Sequence, residues 1–197
     1  MERLICCIPS ERAAAWKLET DYDDLCWLER GEAELNPKFR QVIPYVVVRN
    51  PVTGDILSYV RNGNENRLIG RMSIGFGGHV DFPESIEDAV LRELDEEIGA
   101  DVNHRQLGSP CGLIVSDQSE VDRVHMGIVY MLETETYELK SEEITDVQWT
   151  SPDDLGLYFE QLESWSQIAL MAISNLSVPA LEGSLIRYVA ECDTADT

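Results

Sequence analysis

The stretch from Gly77 to Ala100, GGHVDFPESIEDAVLRELDEEIGA, constrains this chain more than any other. Two glycines and a short loop lead into a run whose apolar residues recur at helical spacing, which predicts a helix over 84–98. At about 100° per residue, Glu93, Glu96 and Glu97 stand at i, i+3 and i+4 and share one sector of that helix. Val90, Leu91, Leu94 and Ile98 fill the adjoining sector and can anchor it on a sheet, while Asp88, Arg92 and Asp95 take the third side. Gly99 is placed to end the helix as a left-handed glycine. Three neighbouring carboxylates repel one another and destabilise an isolated helix. A hard divalent cation reverses that penalty, and clustered oxygen ligands suit Mg²⁺ or Mn²⁺, which keep several waters and bridge to phosphate oxygens. Gly77-Gly78 lets backbone approach such a site closely and can offer a carbonyl as a further ligand.

The flanks predict a sheet for this helix to pack on. RLICCI (3–8) reads as a strand ended by Pro9, and 10–18 as a short helix with Ser10 at its N-cap. QVIPYVVVRN is a β-branched run and a strong strand. Asn50-Pro51 and Thr53-Gly54-Asp55 supply turn chemistry before a second strand, ILSYV, so the two form a hairpin. Residues 62–70 read as a loop, RMSIGF as a third strand, and 110–116, 124–132 and 145–150 as further strands. Ser151 caps a short turn, and 158–176 carries Leu162, Trp165, Ile168, Ala169 and Ala172 at helical spacing. Trp165 is read as core rather than a stacking platform. The organisation expected is an N-terminal extension over 1–40, a main domain over 41–180 and a polar tail over 181–197 whose end frays.

Composition excludes several functions. With 15 Lys+Arg against 37 Asp+Glu, the net charge of −22 disfavours nucleic acid and anionic lipid as partners. A small anionic substrate stays compatible where a bound cation inverts the local field. No apolar run reaches the roughly 18 residues of a membrane helix, and MERLICCIPSER lacks a basic leader, so a cytoplasmic location is expected. The Lys-poor, acid-rich surface fits a high-salt cytoplasm. Cys6, Cys7, Cys26, Cys111 and Cys192 show no metal-ligand spacing and are expected to be buried or free thiols.

Gly78-x5-Glu84-x7-Arg92-Glu93-Leu94-x-Glu96-Glu97-x-Gly99 resembles the complete box of the Nudix hydrolases. By chance such a match is on the order of one in a million for a chain of this length. The strand pattern extends the likeness to roughly 42–176, and IPYVVVR, SIGFGGH, VHMGIVY and ESWSQ are similar to a bacterial and archaeal group of predicted Nudix phosphoesterases. The resemblance implies an α/β/α sandwich around a mixed β-sheet and Mg²⁺-dependent cleavage of a nucleoside diphosphate derivative, with Mn²⁺ as substitute. Glu93, Glu96 and Glu97 would then be metal ligands, one of them also the base, with Gly77 giving its carbonyl to a metal. Arg92 would hold the carboxylates in place, and Glu84 would be a structural partner of the box helix. A further acid before the late strand TDVQW would be Glu143, with Glu142 as fallback. Arg61 sits where such proteins often place a phosphate-binding arginine, with Arg67 and Arg71 on the same loop.

His125 is a substrate-binding or base candidate; His79 reads as a hydrogen-bonded structural histidine and His104 as a surface residue. Phe82 is either a nucleobase stacker or an exposed loop aromatic. Ala100, Phe76 and Pro83 depart from the usual box and its flanks, and they bear on loop shape more than on ligands. The window Val115 to Gln118 lacks the Pro or Tyr of some subfamilies, so the substrate reading stops at a nucleoside diphosphate derivative. The alternative is a non-catalytic sensor of the same fold that binds a nucleotide. A diphosphate isomerase lacks a recognisable cysteine motif here, and RNA decapping lacks a basic groove. The oligomeric state is left open, a homodimer being the form considered.

Overall fold

In the computed structural model, the described residues are 3–17, 22–62, 69–99, 107–174 and the backbone of 184–188. Arg67, Ala100, His104, Cys192 and the terminal ECDTADT lie outside them. The organising element is β3 (Phe39–Arg49), where the β-branched run fell. Its alternate residues part the interior into two cores. Val42, Val46 and Val48 point to one, and Tyr45 and Val47 to the other. Against the first packs α3 (Ile86–Ile98) through Ile86, Ala89, Val90, Leu94 and Ile98. Against the second pack α4 (Pro152–Leu157) and α5 (Ser164–Ile173) through Leu155, Trp165, Ile168, Ala169 and Leu170. The result is the expected α/β/α sandwich around a mixed sheet.

One edge of β3 pairs in parallel with β8 (His125–Glu133), from Gln41↔His125 to Arg49↔Glu133. The other edge is shared. Its first part pairs antiparallel with β1 (Leu4–Pro9) and its later part with β6 (Gly75–Phe76). β7 (Gly112–Ser116) continues the sheet beyond β8, and β10 (Ser184–Tyr188) pairs with β7 from within the stretch read as a tail. β4 (Ile56–Arg61) leaves β3 after one pair, Arg49↔Ile56, and runs with β9 (Ile144–Thr150) and β5 (Met72–Ser73). The hairpin turn is as expected: the Asn50 side chain accepts from Val52 N–H at 2.9 Å and Thr53 N–H at 3.2 Å.

Several elements differ from the sequence reading. RMSIGF is two short strands, because the chain crosses from β4 to β3 between Ser73 and Gly75. The first helix, α1 (Ser10–Ala13), is a single turn with Pro9 at its N-cap, and the Ser10 hydroxyl instead donates to the Pro37 carbonyl at 2.8 Å. The last helix begins at Ser164 rather than 158, since the Glu163 carboxylate accepts from Trp165 N–H and Ser166 N–H at 2.9 Å each and fixes the start there. In α3 the core stripe takes Ala89 rather than Leu91. Cys6, Cys7 and Cys26 are free thiols, but Cys111 is disulfide-bonded, against the expectation of a thiol.

The N-terminal extension is built into the sheet. β2 (Cys26–Glu29) pairs with β1, and α2 (Arg30–Ala33) follows it directly. β1 sends Cys6 and Ile8 into the main core and Ile5 and Cys7 into a small core with Ala33. Its backbone also holds the loop after Gly78: Cys6 N–H donates to Val80 O at 2.9 Å, and Phe82 N–H to Leu4 O at 3.0 Å.

Candidate active site

The box helix α3 starts on a capping box, Ser85 Oγ accepting from Asp88 N–H at 3.0 Å while the Asp88 carboxylate accepts from Ser85 N–H at 3.4 Å. It ends at Gly99, whose φ of 56° is the left-handed conformation expected there. The carbonyls at this end would be left without partners. Segment 138–141 satisfies them: Glu138 N–H donates to Ile98 O at 2.8 Å, and Lys140 N–H to Glu97 O at 3.1 Å. That strap sets Ser141 and Glu143 beside the carboxylate face.

Arg92 is the hub of the loop–helix junction. Its Nε and Nη2 donate to the two Glu84 oxygens at 3.1 and 2.7 Å, its Nη1 to Glu93 at 2.5 Å, and its Nη2 also to the His79 carbonyl at 2.8 Å. Glu84 in turn accepts from Asp81 N–H at 2.6 Å, so one guanidinium fixes the loop between Gly78 and the helix. Glu96 lies 3.5 Å from the same Nη1 but is 59% exposed. Glu97 Oε2 accepts from Gly77 N–H at 3.2 Å. A Cβ on Gly78 would overlap the Glu93 carboxylate, so only glycine lets the loop lie this close to it.

These groups open onto one cleft of about 950 Å³. Its walls include Gly77, Gly78, Glu93, Glu96, Glu97 and Glu143, and also Arg61, Arg71 and His125. The structure thus brings Gly77, Arg92, Glu93, Glu96, Glu97, Glu143, Arg61, Arg71 and His125 to one cleft; Glu84 and Glu142 are not among the lining residues, and Arg67 lies outside the described residues. Burial pushes the Glu97 carboxyl up to about 8, helped by the neighbouring Glu93 and Glu143 charges and opposed by Arg61. Burial likewise raises Glu93, against the pull of Arg92. Among the described residues no three Asp, Glu, His or Cys side chains are gathered tightly enough to hold a metal ion as they stand. Glu93 is turned to Arg92, Glu97 to the Gly77 amide and Glu96 to solvent. The donor set fits a hard cation nonetheless: crowded carboxylates with raised pKa values are what a divalent ion relieves, and all the donors are oxygen.

His79 and His125 are the histidines among the described residues. His79 Nε2 bonds Gln41 Oε1 at 2.8 Å, and burial lowers its pKa to about 3, so it is a neutral structural ring. His125 Nδ1 donates to the Val121 carbonyl at 2.7 Å, which places a proton on Nδ1 and fixes the ring's orientation at the cleft. Trp165 is buried against Tyr45, with ring centroids 5.7 Å apart, yet one edge reaches the cleft. Phe82 is exposed and packs edge-on against Trp27 at 5.2 Å, on the extension. Arg71 Nη1 donates to the Glu160 carbonyl at 2.8 Å.

Sequence reasoning missed several cleft residues, among them two buried acids and two arginines. Asp122 and Glu163 are buried acids that bond Ser119 N–H and the start of α5. Arg3 and Arg30 reach the cleft from the extension. Glu163 lay inside the run read as a helix over 158–176, so nothing in the sequence set it apart as a cap.

The NUDIX domain family model matches residues 39–171. The chain belongs to the Nudix family. Protein YmaB of Bacillus subtilis (strain 168) is 32% identical over 155 residues, covering 73% of this chain and 75% of YmaB. The crystal structure of Tm1382, assigned to the Nudix hydrolases, matches with a TM-score of 0.69 at 25% identity over 89% of this chain and all of that one. DR0079 from Deinococcus radiodurans shares the fold, with a TM-score of 0.58 at 16% identity over 86% of this chain and 97% of its own. As a Nudix hydrolase the chain acts on phosphorus-containing anhydrides, in a family that generally uses divalent metals and small nucleotide substrates. No helix among the described residues is long and apolar enough to cross a membrane.

Proposed function

We propose that this protein is a Mg²⁺-dependent pyrophosphohydrolase that cleaves a nucleoside diphosphate derivative by attack of water on phosphorus. The observation that carries the reading is the junction at Arg92. One guanidinium locks Glu84, Glu93 and the His79 carbonyl, so that Glu93, Glu96, Glu97 and the Gly77–Gly78 loop share one cleft. Glu93, Glu96 and Glu97, with the Gly77 carbonyl and Glu143, would hold the cation. When bound, the ion supplies charge neutralisation of the phosphate oxygens and a lowered pKa for the attacking water. The chain's own part is to position and to move a proton. The Gly77 amide orients Glu97, Arg92 orients Glu93, and one of the box carboxylates takes the proton of the attacking water. Arg61 and Arg71 stand on the same cleft to bind phosphate oxygens, and His125 lines it as a further substrate-binding residue.

The domain boundaries proposed are an extension over 1–40, a Nudix domain over 41–180 and a tail from 181, in a cytoplasmic protein. The test is a phosphate-release screen of the wild type over nucleoside triphosphates, nucleotide sugars, ADP-ribose and dinucleotides, with Mg²⁺ and with Mn²⁺. Turnover of at least one class that disappears on chelation is the expected result. Nucleotide binding without release across the whole panel would overturn the reading and favour a sensor.

A further inference from the structure

We propose that the N-terminal β1–β2 hairpin is a substrate-recognition element. Arg3 and Arg30, at its open end, bind a further anionic group of the substrate beyond the diphosphate that is cut. The substrate class this selects is a phosphoanhydride with a third anionic group, such as a nucleoside triphosphate, over a diphosphate capped by a neutral moiety. The inference rests on the cleft being the substrate site proposed above.

Arg3 immediately precedes β1, and Arg30 immediately follows β2. Antiparallel pairing places strand start beside strand end, with Leu4 opposite Glu29, and Arg30 N–H donates to Arg3 O at 3.0 Å. The two arginines therefore leave the hairpin side by side. The hairpin is held against the loop that carries Gly78 and His79 by the backbone bonds at Val80 and Phe82, and by Arg3 Nε to Asp81 Oδ1 at 2.6 Å. Both arginines line the cleft together with Gly78, His79 and Glu93.

Each guanidinium is steadied through Nε only, Arg3 by Asp81 and Arg30 by Glu34 at 3.1 Å. Among the described residues neither Nη pair donates a hydrogen bond to protein, which leaves the bidentate edge of each fork presented to a ligand. Arg92, in contrast, spends both Nη groups on Glu84, Glu93 and His79 O and has little left to offer a substrate. The charge balance of the whole chain sharpens the point. Among the described residues, Arg3, Arg30, Arg61, Arg71 and Arg92 line this one cleft, in a protein of net charge −22. A polyanion approaching such a surface needs fixed cations on more than one side of the carboxylates. Arg61 and Arg71 give one pair from the main domain, and the hairpin gives the second.

The test is calorimetric binding, with Mg²⁺ present, of methylenediphosphonate and its bis-methylene triphosphonate homologue, whose P–C–P links resist hydrolysis. Wild type should bind the triphosphonate about tenfold or more tighter than the diphosphonate, the scale of charge-assisted hydrogen bonds to an added phosphonate. The Arg3→Gln/Arg30→Gln variant should lose most of that advantage with its diphosphonate affinity unchanged, and Arg3→Lys/Arg30→Lys should restore part of it. An advantage that survives in the glutamine variant, no advantage in wild type, or an equal fall for both ligands would overturn the inference. Failure of the pyrophosphohydrolase reading shows separately, as a wild type that hydrolyses no anhydride while its arginine-dependent binding preference persists.

Discussion

Arg92 makes four hydrogen bonds to Glu84, Glu93 and the His79 carbonyl, and the consequences of removing it follow from what it would leave behind. Arg92→Ala strands two partly buried carboxylates and a carbonyl. A loss of about 2 kcal/mol in stability is expected, read by urea denaturation, with activity lost as well. Glu97→Gln behaves differently. The amide oxygen can still accept from Gly77 N–H, and a neutral side chain suits a buried position, so the melting temperature should hold. The turnover number should fall about 10²- to 10⁴-fold if Glu97 is the base. A variant that keeps wild-type turnover would move that role to Glu93 or Glu96. The roles proposed for the box residues were legible in the sequence because i, i+3, i+4 spacing puts three carboxylates on one face whatever the rest of the fold does. Arg3 and Arg30 were not legible, because what brings them to the cleft is the strand register Leu4↔Glu29, which joins residues far apart in the chain.

Among the elements, α3 and the loop ahead of it hold the cleft in shape. Ser85→Ala removes the side chain that caps Asp88 N–H, and about 1 kcal/mol should be lost in thermal or chemical denaturation. Gly78→Ala is more severe for function, since the added methyl must displace the Glu93 carboxylate. Turnover should drop far more than stability, and equal loss of both would show that the loop is only a structural link. The strand run in β3 and the helix of the box were plain in the sequence because each has one strong periodicity. The split of RMSIGF was not, since alternation shows which side chains are inside but not which neighbouring strand pairs with the backbone. The start of α5 was misplaced for a related reason. Residues 159–161 share its apolar spacing but form a 3₁₀ turn, and a single side chain, Glu163, decides where the α-helix begins.

Across the whole molecule, acidic surface charge and buried cores each leave measurable signs. Burial raises the Cys6 and Cys7 thiols from their ordinary 9.0 to about 12. Unfolded, these thiols ionise first as pH rises, so this share of stability is intact below pH 9 and is lost between about 9 and 12. In the native protein at pH 8, thiol reagents should modify Cys26 well before Cys6 or Cys7, which mass spectrometry of the labelled peptides checks. A net charge of −22 implies strong self-repulsion, so the melting temperature should fall on desalting, and a value indifferent to salt would remove the high-salt reading of the composition. The decisive measurement concerns the carboxylates themselves. Titration of Mg²⁺, followed by calorimetry in the presence of methylenediphosphonate, should show uptake by the wild type and none by the Glu93→Gln/Glu96→Gln/Glu97→Gln variant. Equal uptake by both proteins would place the ion elsewhere and contradict the assignment of the box helix as the metal-holding face of a phosphoanhydride hydrolase.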